Sequence, residues 1–172
     1  MMEACSFPPL LYRLGAEDRF LIWISDEKDC VVVDAEGFIP SFENAACLRA
    51  YAHQKHYELE DEEPILHDLD SVVSWTKAPD TRIDCSKTLL AWNLFVDVAR
   101  SVPKKGAAFE RLDVEFPNIY KKVFLGNNLP AITPRGKKYI PKWSREEVAS
   151  LAEILTIGLG LFESCTRPYS SE

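Results

Sequence analysis

A chain of 172 residues, 47% of them apolar, is long enough to bury one domain's core and too apolar for disorder to be its default state. Its formal net charge of −7 is unevenly spread: residues 1–86 carry eighteen acidic and seven basic side chains, residues 87–172 nine and thirteen. An acidic half of this size repels phosphate, which argues against the whole molecule as a nucleic-acid binder and makes a basic partner the expectation for that half.

In chain order, Leu10–Leu14, Arg19–Ile24 and Cys30–Val33 are short β-rich runs separated by LGAED and SDEKD, whose Gly, Asp and Ser residues make turns. They predict an antiparallel meander. The middle run, RFLIWI, is apolar at nearly every position, as expected for a strand covered on both faces. In DAEGFIPSF, Gly37 permits a positive φ, Pro40 is expected to end the extended chain, and Ser41 to cap a helix running to about His56. Tyr57–Glu60 is predicted as an edge strand guarded by its charges. Asp68 or Asp70 then caps a short helix ending before Pro79.

The stretch Asp84–Val102 is apolar around nearly its whole circumference, so it is read as a buried central helix that Pro103 stops. Lys104–Gly106 reads as a basic turn, and Pro117 divides the following segment, Phe109–Leu125, into two short amphipathic pieces. Three prolines and two glycines make GNNLPAITPRGKKYIPKW a long irregular loop. The last helix opens on a capping box, Ser144 and Glu147, and its apolar residues recur at spacings of three and four. Gly158 and Gly160 within it are expected to admit the backbone of the central helix. The sum is one α+β domain over residues 1–172. An N-terminal antiparallel sheet (sheet-rich part about 7–80) packs against largely C-terminal helices (about 84–165).

Glycine fingerprints, HExxH and GxSxG are absent, and the five cysteines are scattered without a CxxC pair. No cofactor and no metal are expected. No run approaches the ~20 apolar residues of a membrane span, and MMEACSFPPLLYRL lacks the regions of a secretory leader, so a cytoplasmic location and no membrane partner are expected. His53 and His56, with His67, Asp68 and Asp70 nearby in sequence, are the candidate set for a small metal-assisted hydrolase, although their spacing matches no established ligand pattern. Arg135, Lys137, Lys138 and Lys142, interleaved with Tyr139 and Trp143, are the one nucleic-acid-like feature, since aromatics among cations stack on bases. The strongest candidate is the acidic run Glu58, Glu60, Asp61, Glu62 and Glu63, continued by Asp68 and Asp70. It is read as a partner-binding surface, with Tyr139 and Trp143 as further aromatic anchors.

A single acidic α+β chain with no catalytic constellation, no export signal and a dense acidic edge resembles the cytoplasmic immunity proteins of bacterial contact-dependent growth inhibition and related polymorphic toxin systems. The resemblance lies in overall character; DAEGFIPSF, AWNLF and FLGNNLPAITP are distinctive segments that carry no named activity. It implies a binding protein rather than an enzyme. Its partner would be the C-terminal toxin domain of a sister protein, often a nuclease, neutralised in a one-to-one complex.

Overall fold

In the computed structural model, which describes residues 5–170, the chain opens with a hairpin of β1 (Pro9–Leu14) and β2 (Glu17–Ile24). Gly15 and Ala16 form its two-residue turn with φ of 65° and 61°, the combination that matches strand twist. β3 (Cys30–Val31) pairs antiparallel with β2, completing the predicted meander. The sheet is nevertheless mixed, because β5 (Leu66–Asp68) joins β1 in parallel, giving the order β3-β2-β1-β5. The edge strand expected at Tyr57–Glu60 is instead an irregular segment that touches the N-terminal extension of β1 at one bridge, Leu59 with Phe7. Its neighbours are carboxylates that need water, whereas β5 can bury His67.

A second sheet joins β4 (Ile39–Ser41) in parallel with β6 (Thr166–Pro168), two strands that local patterning does not announce. Pro40 lies inside β4 rather than ending it, which a two-stranded sheet with free edges tolerates. Ser41 is a fully buried strand residue and not a helix cap: its Oγ is 2.7 Å from the Tyr12 hydroxyl and accepts from Arg19 Nε at 2.6 Å. The cap role falls to Asn44, whose side chain accepts from Cys47 N at the start of α1 (Ala45–Gln54).

Asp68 caps α2 (Leu69–Lys77), and Asp84 caps the central helix α3 (Cys85–Ser101), in which Trp92 and Phe95 are fully buried. Pro103 does end α3, but it also occupies the first turn of α4 (Pro103–Glu115), where its missing N–H is harmless. Lys104–Gly106 are therefore helical and not a turn. A Cβ on Gly106 would lie 2.2 Å from the Ala99 carbonyl oxygen, so this glycine is where backbone meets backbone. α5 (Pro117–Gly126) follows the break at Pro117, and α6 (Arg145–Cys165) opens on the complete Ser144–Glu147 capping box. On α6, Gly158 admits the Phe95 ring rather than a backbone, while Gly160 faces open space and admits nothing. Contrary to the expectation of no such run, α6 has the length and apolar composition of a membrane span, and half of that window is buried within the fold.

Alternation along β2 separates two cores. Leu21 joins the larger one with Trp92, Phe95, Leu151 and Phe162, under α2 to α6. Ile22 joins the smaller one with Val32, Phe42, Leu48 and Tyr51, under α1. The sheet thus has both faces covered, as the continuous apolar run in β2 predicts.

Candidate functional site

The acidic run leaves the end of α1 through His56, whose φ of 60° reverses the chain, while Tyr57 N donates to Ala52 O at 2.9 Å. Tyr57 then stacks on Phe7 with ring centroids 4.8 Å apart, and Glu60 N donates to Phe7 O at 3.1 Å. These contacts hold residues 57–60 against the sheet by their backbone and apolar side chains. The carboxylates of Glu58, Asp61, Glu62 and Glu63 are left exposed and that of Glu60 half-buried. Among the described residues none of the five enters an ion pair.

Glu60, Asp61 and Glu62 line a groove of about 150 Å³ together with Phe20, Leu48, Leu59 and one cation, Arg49. Ile65, 69% exposed, follows at its end. Three carboxylates against one cation, beside apolar side chains, leave the groove net negative and suited to a lysine or arginine side chain, which carries its charge on an apolar stem. Five carboxylates so close together also project a field that attracts a basic surface before contact.

Asp68 and Asp70, the continuation of that run in sequence, are engaged elsewhere. Asp68 binds Lys87 Nζ at 2.8 Å and caps Ser71, and these bonds, the Lys87 one foremost, hold its carboxyl down at about 2. Asp70 accepts from Gly15 N at 2.7 Å and Ala16 N at 2.8 Å, clamping the β1–β2 turn. Both are structural ties, so of that run, among the described residues, Glu58 and Glu60–Glu63 remain without an ion pair. His53 and His56 are exposed near the C-terminal end of α1. His67 is buried with Nδ1 donating toward the Leu11 and Ile65 carbonyl oxygens, and burial pushes its pKa down. Among the described residues no three His, Cys, Asp or Glu side chains gather as metal ligands, so His53, His56, Asp68 and Asp70 do not make a common centre.

The basic loop is tied at its base by one side chain. Asn128 donates to the carbonyls of Gly126 and Tyr139, each at 2.9 Å, and accepts from Tyr139 N at 2.7 Å. Lys122 donates to Lys142 O and Glu147 and lies over the Trp143 ring, 5.5 Å from its centroid. Trp143 is therefore a half-buried anchor of the loop, and Tyr139, 41% exposed, is the aromatic it presents. Arg135, Lys137, Lys138 and Lys142 are exposed beside Ile132 and Ile140.

A surface concavity of about 610 Å³ lies beside β4 and β6, where Arg167 pairs with Asp34 and Glu36 and Lys55 lies over the Tyr51 ring. One carboxylate that periodicity does not single out is Asp97, 5% exposed in the middle of α3. Its signal in the sequence is a lone acid inside an otherwise apolar helix turn, FVDVA. No protein-family model, curated protein or solved structure matches the chain.

Proposed function

We propose that the protein is an inhibitory binding protein of the immunity type, which captures a basic toxin domain through the acidic groove at residues 58–63. The observation that supports this reading is a run of five carboxylates, free of ion pairs among the described residues, three of which, Glu60, Asp61 and Glu62, line a groove with Phe20, Leu48, Leu59 and Arg49. Intramolecular ion pairs take up many of the other acids, including Asp34, Glu36, Asp68 and Glu147. An enzyme that acts on phosphate presents cations around its active site, and a rigid acidic edge competes for that surface. Complementary fields raise the association rate, and the apolar side chains of the groove slow dissociation.

The test is to reverse Glu60, Asp61 and Glu62 to lysine and co-express the variant with a basic toxin domain that the parent chain neutralises. The on-rate is expected to fall at least tenfold at 0.1 M salt and the gap to narrow at 1 M, where the Debye length is ~3 Å. The melting temperature should fall by no more than a few degrees, because Asp61 and Glu62 are exposed and only Glu60 is half-buried. Full protection of cells with an unchanged on-rate would refute this reading and move the interface to the 126–143 loop.

A further inference from the structure

From Phe116 to Arg145 the chain holds seven lysines and arginines and no aspartate or glutamate, although the protein as a whole is acidic. Lys122 pairs with Glu147. Among the described residues the other six, Lys121, Arg135, Lys137, Lys138, Lys142 and Arg145, enter no ion pair. The same stretch gathers exposed apolar side chains: Leu129, Ile132, Tyr139 and Ile140 are four of the six large hydrophobic residues exposed among the described residues, and Ile140 is 73% exposed.

These side chains stand on a loop whose backbone is held. Besides the Asn128 clasp at its base, Ile132 N and Thr133 N both donate to Leu129 O at 3.0 Å, and Lys137 N donates to Pro134 O at 3.1 Å, with Gly136 at a φ of 76°. Two successive turns thus fix the backbone that carries Ile132 and the Arg135–Lys138 cations. Apolar surface left in water is unfavourable, and neither Ile132 nor Ile140 joins either core. A held loop that presents aliphatic side chains among cations is complementary to a surface that is apolar beneath an anionic layer.

The acidic groove does not cancel this field. The loop leads directly into the N-terminal end of α6, whose 21 residues make it about 30 Å long. Beyond the other end of α6, Tyr169 packs on Phe42 and on Tyr51 of α1, the helix from which the acidic run departs. Charges at opposite ends of α6 are several Debye lengths apart at physiological salt.

We propose that the 129–142 loop docks the protein on the surface of an anionic lipid bilayer. Ile132 and Ile140 enter the acyl boundary, Tyr139 sits at headgroup level, and Arg135, Lys137, Lys138 and Lys142 meet lipid phosphates. Aliphatic side chains distinguish this surface from one built for single-stranded nucleic acid, where bases stack on aromatic rings. Trp143 is half-buried beneath Lys122, which leaves Tyr139 as the loop's one exposed aromatic. The docking is peripheral and does not rest on the capture of a toxin by the acidic groove.

The experiment co-sediments the full chain with vesicles of phosphatidylcholine alone and of phosphatidylcholine mixed with phosphatidylserine. Partition should be at least tenfold higher on the anionic vesicles at 0.1 M salt and should fall toward the neutral value at 1 M. Lys137→Glu with Lys138→Glu should lower it at least tenfold, since each cation near an anionic surface contributes roughly fivefold. Ile132→Ser with Ile140→Ser should also lower it at least tenfold while the charge is unchanged. Both pairs are exposed, so thermal melts of the variants should stay close to the parent and exclude a folding defect. Fluorescence anisotropy of a labelled single-stranded oligonucleotide and sedimentation velocity of the chain alone test the two rival occupants, a nucleic acid and a second copy. Equal partition onto neutral and anionic vesicles, or parent-like binding by the isoleucine variant, would overturn the proposal. So would tighter binding of the oligonucleotide than of the vesicles, or self-association that the lysine reversals abolish.

Discussion

Replacing Asp97 by asparagine removes a charge while keeping the shape, and its effect on stability should depend on pH in one direction only. In the folded chain the carboxyl titrates at about 7, against an ordinary 3.8. Between those values the folded protein holds a proton that the unfolded chain has released, so stability falls as pH rises from about 4 to about 7 and then levels. About three pKa units at 1.36 kcal/mol each set a ceiling near 4 kcal/mol. Water around the exposed Arg100 beside it screens part of this, leaving about 2 kcal/mol as the expected gain of Asp97→Asn over the parent at pH 8. At pH 4.5 the difference should shrink to about 1 kcal/mol, since the folded carboxyl is then neutral and only the unfolded chain has released its proton. Asp68 runs the opposite way, because its carboxyl is held down; its contribution is present above the ordinary 3.8 and is lost as pH falls toward 2, outside the window of interest. Urea unfolding of both proteins from pH 4.5 to 8 measures the difference directly. Parallel stability curves across that range would refute the argument.

The two glycines of α6 make an internal control. Gly158→Ala puts a Cβ 2.1 Å from Phe95 Cδ2 and should destabilise by about 1–3 kcal/mol, whereas Gly160→Ala meets nothing and should stabilise by up to about 1 kcal/mol, both read by thermal melts. Trp92→Ala or Phe95→Ala should each cost about 3–5 kcal/mol, because both side chains are fully buried; a melt within a degree or two of the parent would contradict the central place of α3. Asn128→Ala removes three bonds at the base of the 126–143 loop, and the Tyr139 amide should then exchange with solvent at least tenfold faster, while amides of α3 keep their protection.

What the sequence by itself determined is what is encoded within a few residues. The Asp84 cap, the Ser144–Glu147 box and the Pro117 break all act through backbone groups three or four positions away, so each is legible without the fold. The all-round apolarity of α3 and of RFLIWI reports burial on every side, whatever does the burying. The acidic run was legible too, because charge density is a property of composition.

Tertiary structure alone decided which of those charges are free. Asp68 and Asp70 read like Glu62 and Glu63 along the chain, yet Lys87 and the Gly15–Ala16 turn claim them, and Glu58 and Glu60–Glu63 enter no ion pair among the described residues. Ser41 reads as a helix cap until Tyr12 and Arg19 bury it in β4, a strand whose partner, β6, lies more than a hundred residues further on. Asp97 is a lone acid in an apolar helix turn, and only the fold shows that it is buried, with Asp29 raising its pKa further. Local signals fade beyond a helical turn, whereas a hydrogen bond, an ion pair or a desolvated carboxylate depends on groups that distant parts of the chain bring to the same place.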